Sequence, residues 1–189
     1  MNLDLFIQTL YLFLFCLWLA AFEIQIEGKH GWAARLPTWR ANPDKWYAKI
    51  YRKMMGGKEL TGYHLLVFSS VLIFLHHPYF AGQGWSWFSE LGTLSFFFLI
   101  SITWDFLWFV INPHYGVWRF TSEYIGWHKK WFLFMPISYY YALAISALLY
   151  LRFSLNLALF KEWLAIIGLF SVLTLMVVIL IFIFPKEKI

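Results

Sequence analysis

Charge is what this sequence has least of. Only 13% of its 189 residues are Asp, Glu, Lys or Arg, against roughly 25% in a soluble domain. Such a chain cannot present an ordinary water-facing surface. Cysteine is almost missing too: a single Cys16 excludes an internal disulfide framework and a cysteine-based zinc or iron–sulfur site. The sequence has no Walker loop, no GxGxxG turn, no HExxH pair and no nucleophile elbow. It also lacks the clustered histidines of membrane fatty-acid desaturases. The net charge of +5 comes with no nucleic-acid-binding motif, and anionic lipid headgroups are its simpler partner.

What the chain has instead is apolar length. Hydrophobic residues make up 61% of it and aromatics 23%. Runs of roughly 20 apolar residues match the ≈ 30 Å hydrocarbon layer that a helix must cross. Five such runs read as spans, about 3–22, 60–80, 91–111, 131–151 and 163–184, the last stopped by Pro185. Backbone polar groups in lipid need internal partners, so the spans should be helical. The expected fold is a single all-α membrane bundle over 1–189. The N-terminal MNLDLF has no basic region and no small-residue cleavage site follows it, so the first run reads as a retained helix rather than a signal peptide.

The basic residues orient the bundle. Loop 23–59 carries Lys29, Arg35, Arg40, Lys45, Lys49, Arg52, Lys53 and Lys58; loop 112–130 adds Arg119, Lys129 and Lys130; the tail adds Lys186 and Lys188. With alternating spans these thirteen of the fifteen Lys and Arg residues share one side, and only Arg152 and Lys161 face the other. The positive-inside rule then predicts an outside N-terminus and a cytoplasmic C-terminus. Trp32, Trp39, Trp46, Trp118, Trp127 and Trp131 flank the inner boundary, as interfacial tryptophans do. Residues 43–55 alternate basic and aromatic side chains, which predicts an interfacial helix with Trp46, Tyr47, Ile50 and Tyr51 on its apolar side.

Within that frame several ionisable groups fall at one depth. Glu23 and Glu27 end the first span, His64 begins the second, Asp105 lies in the third, and His114 and His128 flank the loop after it. His76 and His77 lie about 18 Å from His64 along a helix, too far to share its site. A carboxylate in a bilayer costs roughly 2.5–3.5 kcal/mol on the insertion scale and is normally turned to a partner inside the bundle. Asp105 therefore needs a partner, and imidazoles with carboxylates suit zinc or non-haem iron. Glu27 and His30 have the spacing found in di-iron bundles, although Gly28 argues against a helix reaching His30. The candidate ligand set is Glu23, Glu27, His30, His64, Asp105, His114 and His128, with Asp105 and His64 as the catalytic pair.

Each residue has a plainer alternative. Glu23 and Glu27 fit a helix leaving the membrane, His30 and His114 fit loop and turn positions, and His64 and His128 fit interfacial hydrogen bonding. Arg35 and Arg40 fit positive-inside determinants, or a clamp on a lipid or nucleotide phosphate. The leading expectation is a metalloenzyme at the cytoplasmic leaflet that hydrolyses or oxidises a lipid or another apolar or amphipathic small molecule. Two alternatives stand beside it. One is a single-haem protein ligated by His64 and His128. The other is a non-catalytic lipid-binding or assembly protein, including a homo-oligomer.

Overall fold

A computed structural model describes residues 2–184; Pro185, Lys186 and Lys188 lie outside them. The described residues form six α-helices and one short hairpin: α1 (Leu3–Glu27), α2 (Trp46–Met54), α3 (Gly62–Phe80), α4 (Trp87–Ile111), β1 (Trp131–Phe132), β2 (Met135–Pro136), α5 (Ile137–Tyr150) and α6 (Leu157–Ile183). Three of them, α1, α4 and α6, are long and apolar enough to cross a membrane.

Helix boundaries follow local chemistry. Asn2, Thr61, Ser86 and Asn156 cap α1, α3, α4 and α6 by accepting from first-turn amides. At its other end α1 runs one turn beyond the expected 3–22 span and stops at Gly28, whose φ of 59° a side chain resists. That extension keeps Glu23 and Glu27 helical and leaves His30 beyond the helix. The interfacial segment forms α2, with Trp46, Ile50 and Met54 exposed along one stripe.

The expected span 131–151 is not one helix. Its first six residues make the β1–β2 hairpin, turned by Leu133 at φ 51°. Pro136 then starts α5 at φ −57° with no N–H of its own. At 14 residues, α5 is only about 21 Å long, short of the ≈ 30 Å hydrocarbon layer. α3 reaches 19 residues, but His64, His76 and His77 dilute its apolar character.

α4 is the central post. It buries Leu99, Ile100, Trp104, Leu107 and Trp108 against α1 and α5, and it also touches α3 and α6. Small residues let α1 come close: Cys16 and Ala20 are fully buried, and the Cys16 thiol lies 3.8 Å from the Ile100 carbonyl. α6 buries only Trp163, Ile166 and Phe170, while Ile167, Leu173 and Val177 are half-buried against the core.

Candidate functional site

α1 presents Glu23 and Glu27 one turn apart on the face toward α4, and both are 7% exposed. α3 brings His64 to the same place on its first turn, 2% exposed. One ligand atom from each of these three residues lies within 4.8 Å of the others. His64 Nε2 is 3.8 Å from Glu27 Oε1. The opposite ring nitrogen, Nδ1, lies 2.8 Å from the Thr61 hydroxyl, the same oxygen that caps α3. One threonine thus caps the helix and turns the His64 ring so that Nε2 faces the carboxylates. Partners of this kind orient metal-binding imidazoles.

The loop after α1 closes over the cluster. Trp32 and Ala33 take φ values of 58° and 52°, a left-handed conformation that costs a non-glycine residue of order 1 kcal/mol or more. This turn aims the Ala33 N–H at Glu27, to which it donates. It also lays the Trp32 ring flat on His64, with centroids 3.8 Å apart. On the far face of Trp32 sits the Lys58 ammonium, 4.0 Å from the ring centroid. Lys58 is only 5% exposed. Burial holds its ammonium below the ordinary lysine range, against the pull of Asp105, Glu23 and Glu27. Gly31 belongs to the same cover: a Cβ there would stand 2.3 Å from the Trp127 ring.

Between these walls is a cavity of ≈ 20 Å³ lined by Glu23, Glu27, His64, Trp104, Asp105 and Trp127, among others. That is room for about one water-sized occupant. Asp105 lines it from α4 and keeps 27% of its side-chain surface open. The Tyr139 hydroxyl donates to Asp105 Oδ2 at 2.6 Å, and His128 Nε2 stands 3.1 Å from the same oxygen. That His128 nitrogen is close enough to pair with the carboxylate but lies off a hydrogen-bond direction. Burial and the nearby Lys58 hold His128 below the ordinary histidine range, while Asp105 pulls the other way. Carboxylates this close and this buried disfavour one another's charge unless a cation, such as Lys58 or a bound metal ion, stands near them.

Of the sequence candidates, Glu23, Glu27, His64 and Asp105 share this cavity, and His128 stands behind Asp105. His30 is half-buried in the turn after α1 and His114 is exposed in the turn after α4; neither joins the cluster of three. Arg40 is committed elsewhere, to Glu59 Oε2 at 3.0 Å and the Ala33 carbonyl at 2.6 Å. Its guanidinium therefore pins the covering loop instead of offering an open fork to a headgroup. Arg35 is exposed. Of the two histidines expected as haem ligands, His64 lines this cavity and His128 does not. At the other end of α3, His76 pairs with Glu90 at 2.9 Å, remote from His64 as its position along the helix required.

Lys58, Thr61, Trp32 and Tyr139 were not legible as site residues. Thr61 carried one usable signal, a cap three residues before a histidine. Lys58 resembled every other loop lysine, and Tyr139 sits in a Tyr-Tyr-Tyr run with nothing to single it out. No protein-family model, curated protein or solved structure matches the chain.

Proposed function

We propose that this chain is a membrane-embedded metalloenzyme that binds one zinc or non-haem iron ion between Glu23, Glu27 and His64. The observation that carries the proposal is the meeting of two buried carboxylates and an oriented imidazole around a void the size of one water. Mixed carboxylate and imidazole donors suit those two ions, and a bound divalent ion lowers the pKa of its water toward neutrality. Asp105, on the neighbouring wall and held by Tyr139 and His128, takes the proton. The substrate is a lipid or another amphipathic small molecule, for which a bound zinc would supply an activated water for hydrolysis, or a bound iron would supply oxidation with dioxygen as the co-substrate. In this proposal α3 and α5 also cross the bilayer, α5 with the help of the 131–136 hairpin. The site then lies at the cytoplasmic leaflet and the N-terminus outside.

A second proposal draws on Lys58. Its buried ammonium is a counter-ion already in place, so the cluster also suits a metal-free polar lock in a non-catalytic membrane protein.

Elemental analysis of detergent-purified protein separates the two. The expected result is one zinc or iron per chain, lost in Glu23→Gln and His64→Ala and retained in His76→Ala. Thr61→Val, which frees the His64 ring, weakens metal affinity by about 10–100-fold. Wild-type protein that takes up neither ion after loading would overturn the metalloenzyme and leave the Lys58 lock.

A further inference from the structure

We infer that the groove between α1 and α3 holds a single hydrocarbon chain of an amphipathic lipid, with the lipid's polar end at Glu23 and Tyr63. This deepens the proposed function by naming how its substrate enters, and it rests on that proposal only for the chemistry at the polar end.

The groove has a volume of ≈ 320 Å³, at the lower end of the ≈ 300–1,000 Å³ usual for small-molecule sites. It exists because α1 and α3 scarcely meet as backbones. Small residues draw α1 onto α4, whereas large rings stand between α1 and α3. Phe15 stacks on Phe74 with centroids 4.1 Å apart, and Tyr11 adds to Phe74 at 5.9 Å. Along α1 the stack continues from Phe15 to Trp18 and from Trp18 to Phe22. These interlocked rings form a wall with few rotameric alternatives, so a bound chain loses little to reordering the protein.

The ionisable groups stand at one end. The two helices run antiparallel, because Phe15 pairs with Phe74 while the Tyr63 hydroxyl donates to Glu23 Oε1 at 3.4 Å. From Phe15 to Glu23 the wall is about 12 Å long. At its end stand one carboxylate and one phenol, and the walls leading there are rings, Leu19, Val67 and Val71, with Ser70 donating its hydroxyl back to the Leu66 carbonyl of its own helix. A ligand matching that gradient is apolar for most of its length and polar at its tip.

The groove also leads to the metal candidate. Glu23 and Trp104 line both the groove and the small cavity. A chain lying in the groove therefore places its polar end beside the candidate ion, with no need for the headgroup to leave the membrane boundary. Trp18, at 58% exposure, and Phe22, at 46%, face outward at the groove's edge. Entry is thus sideways, from the surrounding hydrocarbon.

The test is photo-crosslinking in nanodiscs with a fatty acid carrying a diazirine in its chain, followed by peptide mapping and by metal analysis of the same samples. Labelling is expected to concentrate on Leu19, Val67 and Phe74, well above that on the outward residues Leu175 and Ile179 of α6. Ser70→Trp, which fills the groove from its exposed side, should cut the groove labelling several-fold without changing metal content. Ser70→Leu, a milder intrusion, should fall between. Labelling spread evenly over α6 and the groove, or unaltered in both Ser70 variants, overturns the inference even where metal is bound. Concentrated groove labelling in protein that binds no metal supports the chain site and overturns the metalloenzyme.

Discussion

At the scale of single residues, two side chains changed meaning most. Lys58 counts in the sequence as one more positive charge in a basic loop, yet it lies buried over Trp32, where the charges of Asp105, Glu23 and Glu27 act on it. His128 is held neutral by burial and Lys58 beside an Asp105 it pairs with. The sign of the resulting pH dependence is fixed. Unfolded, His128 binds a proton near its ordinary value of about 6.5; folded, it does so only at lower pH. The unfolded chain therefore gains protons first as pH falls, and the folded state loses stability below about pH 6.5. Melting in detergent from about pH 8 to about pH 5.5 should show a decline that is shallower in His128→Gln than in wild type. Parallel curves would remove His128 as the source.

At the scale of elements, sequence patterning located the helices better than their company. Caps such as Ser86 and stops such as Gly28 act locally, and α1, α4 and α6 cover the apolar runs 3–22, 91–111 and nearly all of 163–184 but extend four to six residues beyond them, to Gly28, Ser86 and Asn156. Span 131–151 failed because Pro136 and the left-handed Leu133 divide an apolar run that looks continuous by composition. What binds α5 and α6 to α4 was also invisible. Ser95 donates to the Ser146 carbonyl at 2.9 Å, the two hydroxyls lie 2.8 Å apart, and the Trp163 indole donates to Ser146 Oγ at 3.0 Å. Hydrogen bonds between helices in membranes contribute about 0.6 kcal/mol on average and up to about 1.7. Ser146→Ala removes the acceptor shared by two helices, so a loss of about 1–2 kcal/mol is expected, read as a shifted midpoint in denaturant. A midpoint equal to that of the exposed Ser70→Ala would show that the three-residue contact stabilises nothing.

At the scale of the whole molecule, the proposed orientation has a direct check. Cys16 is fully buried, so a cysteine added at the surface should be the main thiol open to an impermeant maleimide. Lys45→Cys and Ser154→Cys lie on opposite sides in the proposed topology. In intact cells Ser154→Cys should label at once, and Lys45→Cys only after the membrane is opened. The reverse pattern would invert the molecule and move the Glu23–His64 site to the outer leaflet.

The sequence by itself determined the helical, apolar character of the molecule, because scarce charge and long apolar runs give α1, α4 and α6 the length and composition to cross a membrane. It also determined depth, since a helix rises by a constant increment per residue: Glu23, Glu27, His64 and Asp105 come to one level as their positions along the helices require. Depth is one coordinate of three. Only tertiary structure decided which groups at that level face each other, because the rotation of each helix is set by packing against α4. Only tertiary structure turned the loop at Trp32 and Ala33 back over His64, which carried Lys58 inward and left His30 and His114 outside. The stretch from Glu23 to Arg40 thus reads in sequence as a charged exit from the membrane. In the fold it is one wall and the cover of a buried polar site.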